Sequence, residues 1–184
     1  SPQDAQIEVH LGEVPEGPHA INRNPGGARR YQMIPLNIQK GQHTYQLKIP
    51  TDPRNTGEFA ITMPDNLFEV YPFRYCEIIN CPVPITQASI RQLTVHYPFN
   101  DTASHFTSSS RVLNDIWDMC QYTMKATSCC GYYVDGDRER IPYEADGYIN
   151  QIGHYGTDRE YTLARRTNEY LITTPTWPPE WHHY

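Results

Sequence analysis

At residue 108 the spacing of apolar side chains changes, and that change constrains the fold more than any other feature of the chain. Up to residue 107 the sequence is rich in Pro, Gly and Thr. It breaks into short extended runs, among them "HTYQLKIP", "GEFAITMP", "YCEIINCP" and "IRQLTVHYPF". In "YQLKI" and "RQLTVHY" apolar and polar residues alternate with the period of two that gives a strand one buried face, and turn residues punctuate the runs. The pattern predicts an antiparallel β-sandwich portion over 1–107, an architecture that serves many accessory domains and says little about chemistry by itself.

From "FTSSSRVLNDIWDMCQYTMKAT" onward the period lengthens. Leu113, Ile116, Trp117, Cys120 and Met124 recur at three- and four-residue steps behind the cap candidates Ser108 to Ser110, which predicts an amphipathic helix opening a second domain over 108–184. A second helix is expected after Pro142, through "YEADGYINQIGHYG", with proline at the first helical position. A third runs over "DREYTLARRTNEYLI", with Asp158 as its cap and Tyr161, Ala164, Asn168 and Leu171 along one face. The last segment, "TTPTWPPEWHHY", is broken by prolines and reads as loop. The fold class is therefore mixed, strands first and helices after.

Composition narrows the function. The net charge is −6, and the 15 Lys and Arg residues are scattered, so nothing resembles a basic face that tracks phosphates, and a nucleic-acid partner is disfavoured. No run approaches the roughly 20 apolar residues that cross a bilayer, so no membrane partner is expected, and "SPQDAQIEVH" lacks the charged and apolar regions of a signal peptide. Ser1 and the ending "PPEWHHY" read as cuts in a longer protein. The cysteines, Cys76, Cys81, Cys120, Cys129 and Cys130, include no C-x-x-C pair, so zinc is a poor reading, and no metal or cofactor is expected. Asn100-Asp-Thr is a glycosylation sequon that reads as chance.

Chemistry concentrates in "VDGDRERIPYEAD", between the first two predicted helices. A solvated loop whose acids favour the positive end of the following helix is the plain account, and Glu144 fits it. Asp135, Asp137, Glu139 and Asp146 have more around them. Tyr132, Tyr133, Ile141 and Tyr143 are the side chains of a cleft wall, and Arg138 and Arg140 flank Glu139 with charge that can hold carboxylates at short range. Acids, arginines and aromatic faces together suit a sugar: carboxylates accept hydrogen bonds from paired hydroxyls, and rings cover the apolar faces of a pyranose. A calcium loop is the rival, from the D-x-D spacing, but the EF-hand pattern is missing and two arginines would repel a cation. His154, His182 and His183 carry no assignment.

Read together, "SSSRVLNDIWDMCQYTMKAT", "YVDGDRERIPYEADGYINQIGHY" and "TDREYTLARRTNEYL" resemble the start of the catalytic domain of the α-L-rhamnosidases, glycoside hydrolase family 78, over about residues 71–184. The resemblance implies β-sandwich domains ahead of an (α/α)6 toroid, of which this chain holds only the first helices, and cleavage of terminal α-L-rhamnose with inversion. A rhamnose-containing glycoside or polysaccharide is the implied partner. The compartment stays open, with periplasmic or extracellular favoured for a bacterial polysaccharide-degrading enzyme.

On the family's pattern Glu139 falls on the general acid and Arg140 on the arginine that follows it, which the resemblance implies is a substrate contact. Asp146, seven positions after Glu139, falls on a carboxylate that binds rhamnose hydroxyls. Asp135 most resembles the first sugar-binding aspartate, at a spacing of four from Glu139 that is shorter than usual, and Asp137 competes for that place. Pro142 and Tyr143 stand where Gly-Trp is usual, so an indole platform becomes a phenol. The family's general base lies much later in the toroid and is expected beyond Tyr184. Glu180, between Trp177 and Trp181, is a candidate lining of the substrate cleft, with a loop packed by its two tryptophans as the alternative.

Overall fold

The computed structural model describes residues 1–174. The chain divides into two compact units, one formed by Ser1–Pro50 with Phe68–Thr94, the other by Thr51–Leu67 with the chain from Val95 onward.

In the first unit, β1 (Ala5–Gly12) lies between β2 (Tyr31–Ile38) and β3 (Tyr75–Ile79), antiparallel to both. Alternation along β1 places Ile7, Val9 and Leu11 on one face, where they meet Ile34 and Tyr71 in a buried core. Pro35 is tolerated in β2 because that strand is at the edge of the sheet. The opposite face of β1 is polar: buried His10 bonds the Tyr31 hydroxyl at 2.7 Å and the Glu8 carboxylate at 3.1 Å.

The expected sandwich is, among the described residues, this single three-stranded sheet. "YCEIINCP" does contribute β3, but 43–50, 57–64 and 90–99 join no ladder. Alternation reports which side chains seek the core, and a strand also needs a partner edge. Leu47 and Ile49 do pack on the core of the first unit, without ladder hydrogen bonds.

The second unit carries the three expected helices, α1 (Arg111–Ala126), α2 (Glu144–Thr157) and α3 (Thr162–Thr173), with a short hairpin of β4 (Ser128–Cys129) and β5 (Tyr132–Tyr133) after α1. Three expectations about them change. The side chain of Ser110 does not cap α1; instead Ser108 and Asn114 exchange hydrogen bonds of 2.8 and 3.1 Å across its first turn. Pro142 precedes α2 rather than opening it. Asp158 follows α2, and α3 is capped by Glu160, whose carboxylate accepts from the N–H groups of Thr162 (2.6 Å) and Leu163 (3.1 Å). The buried face of α3 is Leu163, Ala164, Thr167 and Leu171, while Tyr161 and Asn168 face outward. The apolar stripe of α1 is present but stays exposed at Leu113, Ile116 and Met119; Trp117 stacks on Phe106 at 5.7 Å.

The core of this unit is unusually polar. Tyr133, wholly buried, packs with Leu163 and Ala164, donates its backbone N–H to Thr167 Oγ1, and meets His154 Nδ1 with its hydroxyl at 2.6 Å. His154 is also wholly buried; its Nε2 lies 3.8 Å from Asp158 Oδ2, too far for a hydrogen bond.

Burial lowers the His154 pKa below 6.5 against the opposing pull of Asp158 and Glu160. A histidine held neutral in the fold leaves stability undiminished above 6.5, and costs it as the pH falls from there toward the folded value, because the unfolded chain binds the proton more readily. Asp158, held below 3.8, adds its own loss only in stronger acid. Thermal unfolding of the chain should therefore begin to ease just below pH 6.5, and His154→Gln should flatten that portion of the profile while leaving the fall below pH 4; a slope unchanged by the substitution would contradict the assignment.

Candidate functional site

The acid-rich stretch spans the end of β5 to the first turn of α2, and its shape is set from within by one buried side chain. Arg140 is only 1% exposed, and its guanidinium donates from Nε (2.7 Å) and Nη2 (2.6 Å) to Asp137 Oδ1. Asp137 in turn is held by Asn55, whose amide donates to its carbonyl oxygen at 3.1 Å and its Oδ2 at 3.3 Å. The Arg140 carbonyl accepts the Ile61 N–H at 2.8 Å, and the Arg140 N–H reaches back to the Gly136 carbonyl at 3.2 Å. Arg140 adopts φ 56, left-handed for a residue with a Cβ, so the chain reversal is imposed by these bonds rather than chosen by local preference.

With 137 and 140 committed to the anchor, the remaining acids take distinct places. Asp135 is sheltered: its Oδ1 is buried without a hydrogen-bond partner, and its Oδ2 lies 3.7 Å from Arg138 Nη2. Its pKa is raised, first by burial, with the carboxylates of Glu139 and Asp146 adding to it and the Ile141 N–H and Arg138 opposing. Glu139 is half-buried and held at both oxygens, Oε1 by Arg138 Nη2 at 2.8 Å and Oε2 by the Tyr143 hydroxyl at 2.7 Å. The Tyr143 phenol is pushed up to about 12 by burial and by that bond to a carboxylate. Asp146 and Glu144 both lie in the first turn of α2, where the helix dipole favours negative charge.

The structure thus gathers Asp135, Arg138, Glu139, Tyr143 and Asp146 in one short segment, and it places Arg140, expected on the substrate, inside the anchor with Asp137. Tyr143 serves Glu139 through its hydroxyl. Trp177, Glu180 and Trp181 lie outside the described residues. Asn55 is the participant that sequence reading passes over, since a lone asparagine 82 positions before Asp137 carries no local signal. Among the described residues no three His, Cys, Asp or Glu side chains gather as a metal site, and the two aspartates of the D-x-D pair turn to different partners.

Residues 101–175 match the family model of the bacterial alpha-L-rhamnosidase 6 hairpin glycosidase domain. That span contains α1, the hairpin, the acid segment, α2 and α3, so this part of the chain is related to rhamnosidase-type glycosidase domains. No curated protein and no solved structure matches the chain.

Two substitutions separate the anchor from the acids it positions. Arg140→Met leaves Asp137 facing a partner that no longer exists, and should cost about 3–5 kcal/mol in chemical denaturation; a loss under about 1 kcal/mol would show that the pair does not hold the segment. Asp135→Asn should act oppositely. A folded pKa above 3.8 means that Asp135 contributes stability in acid and loses it as the pH rises through the folded value. The amide should therefore raise the unfolding temperature at pH 7, with the gain vanishing as the pH falls below about 4.

Proposed function

We propose that this chain supplies the acid half of an inverting glycoside hydrolase that removes terminal α-L-rhamnose from rhamnosides. The observation that carries the reading is the joint one: the match to a rhamnosidase-type glycosidase domain over 101–175 includes the segment in which Asp135, Glu139 and Asp146 come together. Its finer parts, membership of glycoside hydrolase family 78 and helices α1–α3 as the first of an (α/α)6 toroid preceded by sandwich domains, belong to the same proposal.

In this mechanism Glu139 donates its proton to the glycosidic oxygen as the bond from that oxygen to the anomeric carbon breaks. Water adds from the opposite face, activated by a second carboxylate about 6.5–9.5 Å from the acid. Asp135 and Asp146 accept hydrogen bonds from rhamnose hydroxyls, and the Tyr143 ring offers an apolar face. Arg138, whose side chain is half exposed, is the contact of Glu139 that can move to admit a substrate. The experiment is Glu139→Gln in the polypeptide that carries the activity. Turnover of a rhamnoside with a poor leaving group should fall by about 100-fold or more, with rhamnose binding largely kept; undiminished turnover would remove Glu139 from the role.

One observation favours a second reading, a non-catalytic sugar-binding piece. Both oxygens of Glu139 are already met, by the Arg138 guanidinium and by the Tyr143 hydroxyl, contacts that suit a side chain holding a ligand by accepting hydrogen bonds. Calorimetric binding of rhamnose to this chain, unaccompanied by turnover even when the rest of a toroid is supplied, would decide for it.

A further inference from the structure

The β4–β5 hairpin ends in a two-residue turn in which Cys130 has φ 54 and Gly131 φ 86, the signature of a type I′ turn. Glycine suits its place. Cysteine is an unusual choice for the other, where asparagine, aspartate or glycine tolerates the left-handed backbone best. The turn brings three sulfurs together. Cys129 Sγ and Cys130 Sγ are 3.6 Å apart, and the Cys130 thiol donates to Met63 Sδ at 3.3 Å, across 67 residues of sequence within the same compact unit. All three side chains are half-buried, sheltered yet reachable from solvent.

We propose that Cys129, Cys130 and Met63 form a binding site for a soft monovalent cation of the copper(I) class. Thiolate and thioether sulfur are the donors that select such ions over harder ones, and a thioether third donor, with no set of three His, Cys, Asp or Glu side chains gathered among the described residues, argues against zinc. A metal–sulfur bond of about 2.3 Å sets ligating sulfurs about 3.8–4.0 Å apart. The two separations, 3.6 and 3.3 Å, need to open by less than about 1 Å, within reach of small rotations of the cysteine and Met63 side chains. The proton that Cys130 now directs at Met63 occupies the place the ion would take.

Binding is an exchange: both thiols release their protons, the cation bonds to two thiolates and one thioether sulfur, and no electron moves. The product carries one negative charge, and Arg166 stands ready to neutralise it. Its Nη1 would lie 3.5 Å from a Cβ on Gly131, and its guanidinium covers the Tyr132 ring at 4.5 Å.

The test titrates copper(I) into the reduced chain without oxygen, against a chromogenic chelator, in a background where Cys76, Cys81 and Cys120 are replaced by serine. One equivalent should bind, with X-ray absorption showing sulfur as the only donor. Cys130→Ser should abolish stoichiometric binding, and the volume-conserving Met63→Leu should weaken it about tenfold with an unchanged circular dichroism spectrum. Should Cys130→Ser not fold, Met63→Leu decides alone. Absence of stoichiometric binding, affinity untouched by Met63→Leu, or recovery of a Cys129–Cys130 disulfide in place of bound copper would each overturn the proposal.

Discussion

A guanidinium that is 1% exposed cannot remain in a fold without a carboxylate, and the acid segment of this chain is arranged around that requirement. Asp137 meets Arg140, Asn55 meets Asp137, and the Ile61 N–H meets the Arg140 carbonyl. These bonds offset the cost, about 1–2 kcal/mol, of holding a residue with a Cβ in the left-handed region. The result is a reversal between β5 and α2 whose two ends are fixed, by the buried Tyr133 on one side and the helix on the other. Arg138 and Glu139, between the anchoring residues in sequence, then project outward from a rigid base.

The helices were legible because their period is long and regular. Leu113, Ile116 and Met124 specify α1, and Ala164 with Leu171 specifies α3, whatever surrounds them. Pattern alone does not reveal whether a face is covered: the α1 stripe obeys the helical rule and is still exposed at Leu113, Ile116 and Met119. The strand pattern misleads for a related reason. "HTYQLKIP" alternates correctly and buries Leu47 and Ile49 in part, but a ladder depends on a second segment that alternation cannot name. Caps are misread when the wrong acid is nearer the rule, as Asp158 is by type and Glu160 by geometry.

Within the site, composition and family resemblance picked out the acids, and neither could divide the labour among them. Asp135 and Asp137 are two residues apart and chemically identical, so their separation into a sheltered carboxyl and an anchoring one rests on Asn55 and on the burial of Arg140. Arg140 illustrates the same limit: an arginine next to a glutamate looks like a substrate clamp in sequence, and only the structure shows its guanidinium bonded to Asp137.

That division places two carboxyls of one segment in opposite electrostatic conditions. Glu139 has a donor on each oxygen, whereas Asp135 has a buried Oδ1 with none and a raised proton affinity. A buried acceptor left unsatisfied costs about 1–3 kcal/mol, a cost a fold retains only where something else requires the group. On the proposed reading the requirement is the ligand. A sugar hydroxyl donating to Asp135 would recover the missing bond on binding, so the carboxyl that weakens the empty fold is the one best placed to hold substrate.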